Sequence, residues 1–485
     1  MGDTRSIGAI TFSLVGFLFL VELSSGILQG YYIPLIHELA VHLGISDADY
    51  NWFEAGQLLL SALAVPIFAK LGDMYGHKRM LVITTGITAA ATWWLAFTAD
   101  FATFLIAFAI QGVYAAWLPL EVALIFDRGR RTATGASQTR RAAGYLVVAL
   151  EAGAIIGALA GSRVYAATGE NVMLTLFAPA IAVTLVFFAV LFGVPESEPL
   201  PGRRLDLAGV VMLSLALLLI TSGLAFLRLE GGSAWVVVAL IAGGLAMLVP
   251  FGRRQLRHAD PFIDLRVLRQ PSMWPVILTA GLFGISVLGA QIPLSTYAST
   301  PRSNGYGLGL DTDVISYLIG VYLVAMIIGA VVFPVLSNRA TPRIALIAAA
   351  ALVAAGYLLF IPFHHEVWQV VLNMVIAGIG SGALVAALPA AAAAAAPRGQ
   401  TGVATGLTNT TKTIGGSFAS AVFGVVLAAG VAGGAGAVAS YAGYLTTWII
   451  CGVTALICAV ALYFVPRLAF QDTAPGPEPE GAAAR

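Results

Sequence analysis

Charge is scarce in this 485-residue chain: Asp, Glu, Lys and Arg make up 10% of it, against about a quarter in soluble proteins. The net charge of +1 offers no basic field to hold nucleic acid. Cysteine is nearly absent. Cys451 and Cys458 lie seven apart on one apolar stretch, about 10 Å along a helix and beyond disulfide reach, so they read as packing residues. No glycine-rich loop carries a nucleotide-binding lysine, which excludes nucleotide-driven chemistry by this chain alone. No nucleophile–base–acid set stands out either. His364, His365 and Glu366 are adjacent in sequence and point apart, so no metal site is expected. The first apolar run lacks an A-x-A-like exit and leads into further runs, so it reads as a retained helix.

What the chain has instead is apolar length. Hydrophobic residues make up 59% of it, and the mean hydropathy is +0.90. Long apolar runs fall near 13–34, 51–70, 80–98, 101–126, 142–166, 171–194, 206–227, 234–252, 271–297, 313–337, 343–362, 368–396, 403–431 and 440–466. Backbone amides in hydrocarbon need internal partners, so runs of about 20 residues should be membrane-spanning helices. The basic residues then fix an orientation. With the N-terminus inside, Lys70, Lys78, Arg79, Arg130, Arg140, Arg253, Arg343, Arg398 and others collect on the inner side. Little beyond Arg163, Arg228 and Arg302 lies outside. Both termini are expected in the cytoplasm, with the chain in the plasma (inner) membrane. The tail 471–485, rich in Pro and small residues, is expected to be disordered.

The most specific motif is AKLGDMYGHKR at 69–79, between the second and third runs. Gly72 and Gly76 permit a tight reversal, Asp73 supplies a fixed negative charge, and Lys78 and Arg79 anchor the inner face. This segment resembles the signature loop of the major facilitator superfamily, with Ala69 and His77 in place of the usual glycine and arginine. A weaker echo, LSNRATPR, stands at 336–343. IDLRVLRQPSMW at 263–274 and TGLTNTTKTIGGSFASAVFG at 405–424 resemble segments of the fourteen-helix drug:proton antiporter-like branch. The resemblance implies an all-α membrane protein with two six-helix bundles and two inserted helices. The expected divisions are 1–198, 199–257 and 258–470.

Gly153, Gly157 and Gly161 resemble an antiporter motif in which Ala158 replaces the expected proline; the same spacing also suits close helix packing. The fourth-span motif keeps Gln111 and Gly112, but Phe108 stands where its proton-coupling arginine is expected. Counting nine residues back from Pro34, where that branch carries an acid, gives Ser25; Glu22 lies one turn earlier.

Carboxyls within spans are costly and read as functional by default. Glu22 in the first span and Glu151 in the fifth are the proton-coupling candidates. Glu54 and Glu121 read as helix-end residues with interfacial solvation. Lys412, in the thirteenth run, reads as a counter-ion for one of the acids or as a lysine snorkelling inward. By position in the family, spans 1, 4 and 9 line the substrate cavity, with Gln29, Tyr32, Gln111, Tyr114, Trp117 and Gln291 as candidate contacts. These readings describe a secondary transporter: proton-coupled efflux of small amphipathic compounds, with no cofactor beyond the proton gradient. Its expected partners are the bilayer and a small-molecule substrate, without nucleic acid, and the chain is expected to act as a monomer. A proton-independent facilitator or an importer of a specific metabolite remains open, as does a membrane-embedded lipid-modifying enzyme.

Overall fold

The structure, a computed structural model, describes residues 12–129, 135–196, 205–227, 233–259, 261–271, 273–395, 401–429, 431 and 437–464. The tail 471–485 and Arg130, Arg228 and Arg398 lie outside them. The described chain is almost wholly helical, and fourteen helical segments follow the expected runs. They are α1 (Phe12–Tyr31), α2 (Tyr50–Tyr75), α3 (His77–Ala96), α4 (Phe101–Gln111 running on into Trp117–Gly129), α5 (Gly135–Ala167), α6 (Val172–Gly193) and α7 (Leu207–Phe226). After these come α8 (Ala234–Arg257), α9 (Trp274–Val287 running on into Gln291–Ser299), α10 (Thr312–Arg339), α11 (Pro342–Leu359), α12 (Val367–Ala395), α13 (Thr401–Ala428) and α14 (Tyr441–Phe464).

Among the described residues, thirteen segments are long and apolar enough to cross a membrane by composition. The other, α3, is a 20-residue helix packed against α6 and α4, and its threonines and tryptophans lower its hydropathy. Three of its threonines are paired within the helix: Thr84, Thr85 and Thr92 donate to carbonyls three or four residues back.

Three spans are broken in the middle. A 3₁₀ turn at Ile33–Leu35, with Pro34 at its start, lets α1 continue as Ile36–Leu43. Gly112–Ala116 breaks α4, and Leu288–Ala290 breaks α9. The first span therefore reaches from Leu14 to Leu43, which moves its midpoint from Glu22 to the neighbourhood of Gln29. Irregular backbone at membrane depth is tolerated only where protein or a polar cavity covers it, so the breaks mark the protein's interior.

Two apolar cores divide the molecule. One gathers α1–α6 around Phe53, Phe104 and Trp117, and the other gathers α9–α14 around Phe283, Tyr357 and Trp448. The inserted pair α7–α8 rests on α2 and α13 through Leu59, Leu63, Leu213, Leu217 and Phe251. The two bundles repeat the same close contacts. A Cβ on Gly26 would stand 1.9 Å from Leu150 O, and one on Gly284 would stand 2.0 Å from Lys412 O. Likewise Gly112 meets Gln57 O at 2.5 Å and Gly382 meets Met326 O at 1.8 Å. The glycine series of α5 has the same use. Cβ atoms on Gly153 and Gly157 would collide with Leu23 O and Ile27 O of α1 at 2.1 and 2.5 Å. Small residues there bring two backbones into van der Waals contact.

Candidate functional site

The loop at 72–77 is held from three sides. Gly76 adopts φ +103°, which only glycine takes without strain. His77, at the position where the family pattern has a basic residue, is buried, and its Nε2 stands 3.3 Å from Asp73 Oδ1. Glu196, just past α6, accepts from the Lys78 amide at 3.2 Å and would touch any Cβ on Gly76. Sequence reasoning missed Glu196, because its partner lies 118 residues away. Arg79 is exposed and Lys78 half-buried. Lys70 reaches out from α2 to the Pro261 carbonyl at 3.4 Å, tying this end to the segment that enters the second bundle.

Gln111 is the hub of a polar network inside the first bundle. It accepts from Gln57 Nε2 at 3.1 Å and donates to the Tyr32 hydroxyl at 2.8 Å and Thr92 Oγ1 at 3.0 Å. Ser61 donates to the Gly112 carbonyl at 2.8 Å, answering one backbone group loosened by the break in α4. Phe108 occupies the motif-arginine position and sits among rings instead, 5.4 Å from Tyr32 and 5.7 Å from Phe104 between centroids. Four of the expected cavity contacts, Tyr32, Gln111, Tyr114 and Trp117, thus lie in the bundle core, buried to within 9% of their surface. The break turns Gln111 toward α2 and α3, where partners exist, and a paired amide in low dielectric is favoured over an open one.

Beside this network Glu22 on α1 and Glu121 on α4 lie carboxyl against carboxyl. Both are buried, and no hydrogen bond reaches any of their four oxygens among the described residues. The expected solvation of Glu121 is overturned. The helix runs on to Gly129, two turns past Glu121, which places the carboxyl inside the protein. Glu54 is half-buried on α2, within electrostatic reach of Tyr50 and Tyr114.

A second polar group lies between the bundles. Glu151 of α5 and Lys412 of α13 are both partly exposed and within electrostatic reach of each other, without the direct contact of an ion pair. Tyr322 of α10 lies within reach of Glu151, and its hydroxyl donates to Ser381 Oγ of α12 at 3.3 Å. Gln29 is exposed at the middle of the first span, and Gln291 is partly exposed where α9 resumes. Of the six expected cavity contacts, these two remain open.

Direct bonds between the bundles concentrate at the end opposite the 72–77 loop. Ser295 donates to the Ile33 carbonyl at 2.6 Å, Thr312 to Glu38 at 3.5 Å, and Ser417 to the Ala55 carbonyl at 2.7 Å. Arg163 donates to the Tyr317 hydroxyl, and the Asp47 amide donates to the Ala437 carbonyl at 3.2 Å. Glu38 also accepts from Tyr165 at 3.1 Å. At the same end His364 is fixed between the Phe360 carbonyl and the Tyr441 hydroxyl, at 2.8 and 3.0 Å. Burial, with His365 beside it, lowers its pKa. Its two ring nitrogens are thus engaged with structural partners.

Asp206 is a further residue that sequence reasoning passed over. It caps α7 through the Gly209 amide at 3.0 Å and takes hydrogen bonds from Arg254 Nη2 at 2.7 Å and Gln255 at 2.8 Å on α8. Burial pushes its carboxyl up, but the bonds from Arg254, Gly209 and Gln255 outweigh it and bring the pKa down to about 2.

Three comparisons bear on this arrangement. The sequence model of the Major Facilitator Superfamily matches residues 18–420. The cephamycin export protein CmcT of Amycolatopsis lactamdurans is 27% identical over 439 residues, 90% of this chain and 88% of that one. The drug efflux pump JefA of Mycobacterium tuberculosis is 25% identical, covering 82% and 76%. Among solved structures, an auto-inhibited peptide transporter of the POT family superposes with a TM-score of 0.64 at 13% identity, covering 94% of this chain and 100% of that one. The fold is the same.

Proposed function

Because the chain belongs to the Major Facilitator Superfamily and is a multi-span membrane transporter rather than an enzyme, we propose that it exports small amphipathic compounds in exchange for protons. Export is favoured by relatives named for exporting cephamycin and for drug efflux. The side of the membrane follows from the basic residues, which put the 72–77 loop in the cytoplasm. On that orientation the bonds between the bundles lie mostly on the outer side.

The observation that carries proton coupling is the Glu22–Glu121 pair. Two adjacent carboxyls without a donor are completed by a single proton, since a protonated acid supplies one O–H and keeps acceptor capacity. No lysine or arginine among the described residues is seen to compensate the pair. Rocking that wets the pair on one side would release that proton, and closing would take one up from the other. Glu22 is the carrier and Glu121 the group that holds its proton in place. Buried Phe108 favours a second reading, a proton-independent facilitator, because it stands where the family pattern has an arginine implicated in proton coupling.

Proteoliposomes loaded with a pH dye and challenged with lipophilic cations and neutral amphipaths test both readings. Compound-dependent proton movement is expected in the wild type and in Glu54→Gln. It should be lost in Glu22→Gln and reduced in Glu121→Gln. Uphill transport by Glu22→Gln at the wild-type rate would remove the carrier assignment. Compound flux without proton flux in the wild type would establish the facilitator.

A further inference from the structure

We propose that Lys412 is the recognition point for an anionic group on the transported compound, with Glu151 as the resident counter-ion that the compound displaces. This rests on the export reading above and adds the substrate's charge to it. Lys412 lies eleven residues after Thr401 and sixteen before Ala428, so its ammonium starts from the middle of a span. Among the described residues it is the only lysine or arginine more than ten residues from both ends of its helix. A cation at that depth requires a partner. Glu151, sixteen residues from either end of α5, is within reach, yet the two make no ion pair. A gap therefore separates opposite charges that belong to opposite bundles.

The backbone at Lys412 is fixed. Its carbonyl faces Gly284 of α9 so closely that a Cβ there would stand 2.0 Å away, and Gly416 packs on Leu58 of α2 one turn later. The lysine is thus delivered by a rigid helix, and the freedom lies in its four-carbon side chain. An ammonium has three donors and no acceptor, so it takes acceptors only. Glu151 has a hydroxyl neighbour in Tyr322, which is anchored to Ser381. Removing Glu151 from the pair leaves Lys412 uncompensated, whereas a carboxyl parted from Lys412 can take up a proton and become neutral. The ligand that this asymmetry calls for carries a carboxylate, sulfonate or similar anion on an apolar body. Its anion meets Lys412 while the body lies between the bundles, where exposed Gln29 and partly exposed Gln291 are the candidate contacts.

The test uses the purified full chain with three dansyl probes: dansylglycine as the anion, its near-isostere dansylglycinamide as the neutral form and the longer dansylcadaverine as the cation. Binding is read by fluorescence and, independently, by ligand-induced thermal shift. Dansylglycine should bind the wild type more tightly than its amide. Lys412→Gln should weaken it at least tenfold and leave the amide unchanged, while Lys412→Arg retains most of the affinity. Glu151→Gln should tighten dansylglycine severalfold, because the competitor is gone. The double variant, in which the two charges are removed together, should fold as well as wild type and still bind the anion weakly. An unchanged dansylglycine affinity in Lys412→Gln overturns the proposal, and so does no binding of this probe by the wild type. Loss of dansylcadaverine alone in Glu151→Gln also overturns it. Flux of the neutral and cationic probes without dansylglycine binding refutes the anion site and leaves export standing. Lys412-dependent dansylglycine binding with no flux of any probe in proteoliposomes does the reverse.

Discussion

Glu22 and Glu121 lie carboxyl against carboxyl between α1 and α4, with all four oxygens buried and none hydrogen-bonded among the described residues. A buried polar group left without a partner costs about 1–3 kcal/mol. Function and stability therefore oppose each other at this position. Glu121→Gln introduces an amide donor that can bond Glu22 whatever the proton does. Its thermal midpoint should rise, by the equivalent of about 1–2 kcal/mol, as its proton flux falls. A variant that lost flux and stability together would point to a structural role for the acid.

The glycines of α5 set a sharper steric test. A Cβ on Gly153 would stand 2.1 Å from the Leu23 carbonyl, so Gly153→Ala must push α1 and α5 apart along their length. Overpacking commonly costs about 1–3 kcal/mol, and here the obstacle is backbone and cannot rotate away. Gly16→Ala, on the same α1 and with no atom within 4 Å of the new methyl, should be close to neutral. Thermal melts of the two purified variants decide it. Equal midpoints would mean that the α1–α5 contact is looser than the distances require.

Much of this architecture is legible in the sequence, because hydrocarbon forces long apolar runs to become helices. The two-bundle arrangement is what the family resemblance of the signature loop and the later segments implies. What the runs do not show is depth. The first span continues past Pro34 to Leu43, and α4 continues to Gly129, so Glu22 is off its span's midpoint and Glu121 is away from a helix end, with both buried. Pairing across helices is equally hidden. Gln111 and Gln57 are 54 residues apart, and Glu196 and Lys78 are 118 apart. A single sequence gives each residue's chemistry but not the neighbour that satisfies it. That is why four aromatic and amide residues expected at a cavity are found in a core.

Asp206 gives a pH dependence whose sign is fixed. Its pKa falls to about 2 in the fold, from about 3.9 in an unfolded chain. A depressed carboxyl contributes stability above the unfolded value, and the contribution is lost as pH falls through the folded one. Asp206→Asn removes the carboxylate charge that the half-exposed Arg254 on α8 bonds to. Amide exchange in α7 and α8 should therefore be faster in Asp206→Asn than in wild type at pH 5. The two should converge as the pH approaches 2. A gap that persisted there would assign the effect to packing.

The Gln111 hub allows a double-mutant cycle with an asymmetric outcome. Gln111→Leu leaves Gln57 Nε2 without its acceptor and the Tyr32 hydroxyl without its donor, both in a sealed core. Thr92 loses less, since its hydroxyl also donates to the Thr88 carbonyl at 2.7 Å. The single change should cost about 2–3 kcal/mol, mostly from the groups that it orphans. Gln57→Leu added to it removes one orphan, and two leucines fill similar volume. The double variant should then be more stable than the sum of the singles by about 1 kcal/mol or more, well outside the additivity seen between independent sites. Chemical or thermal unfolding in one detergent measures all four corners. Simple additivity would mean that water reaches the network and satisfies Gln57 once Gln111 is gone, and the core around the break in α4 would then be wet.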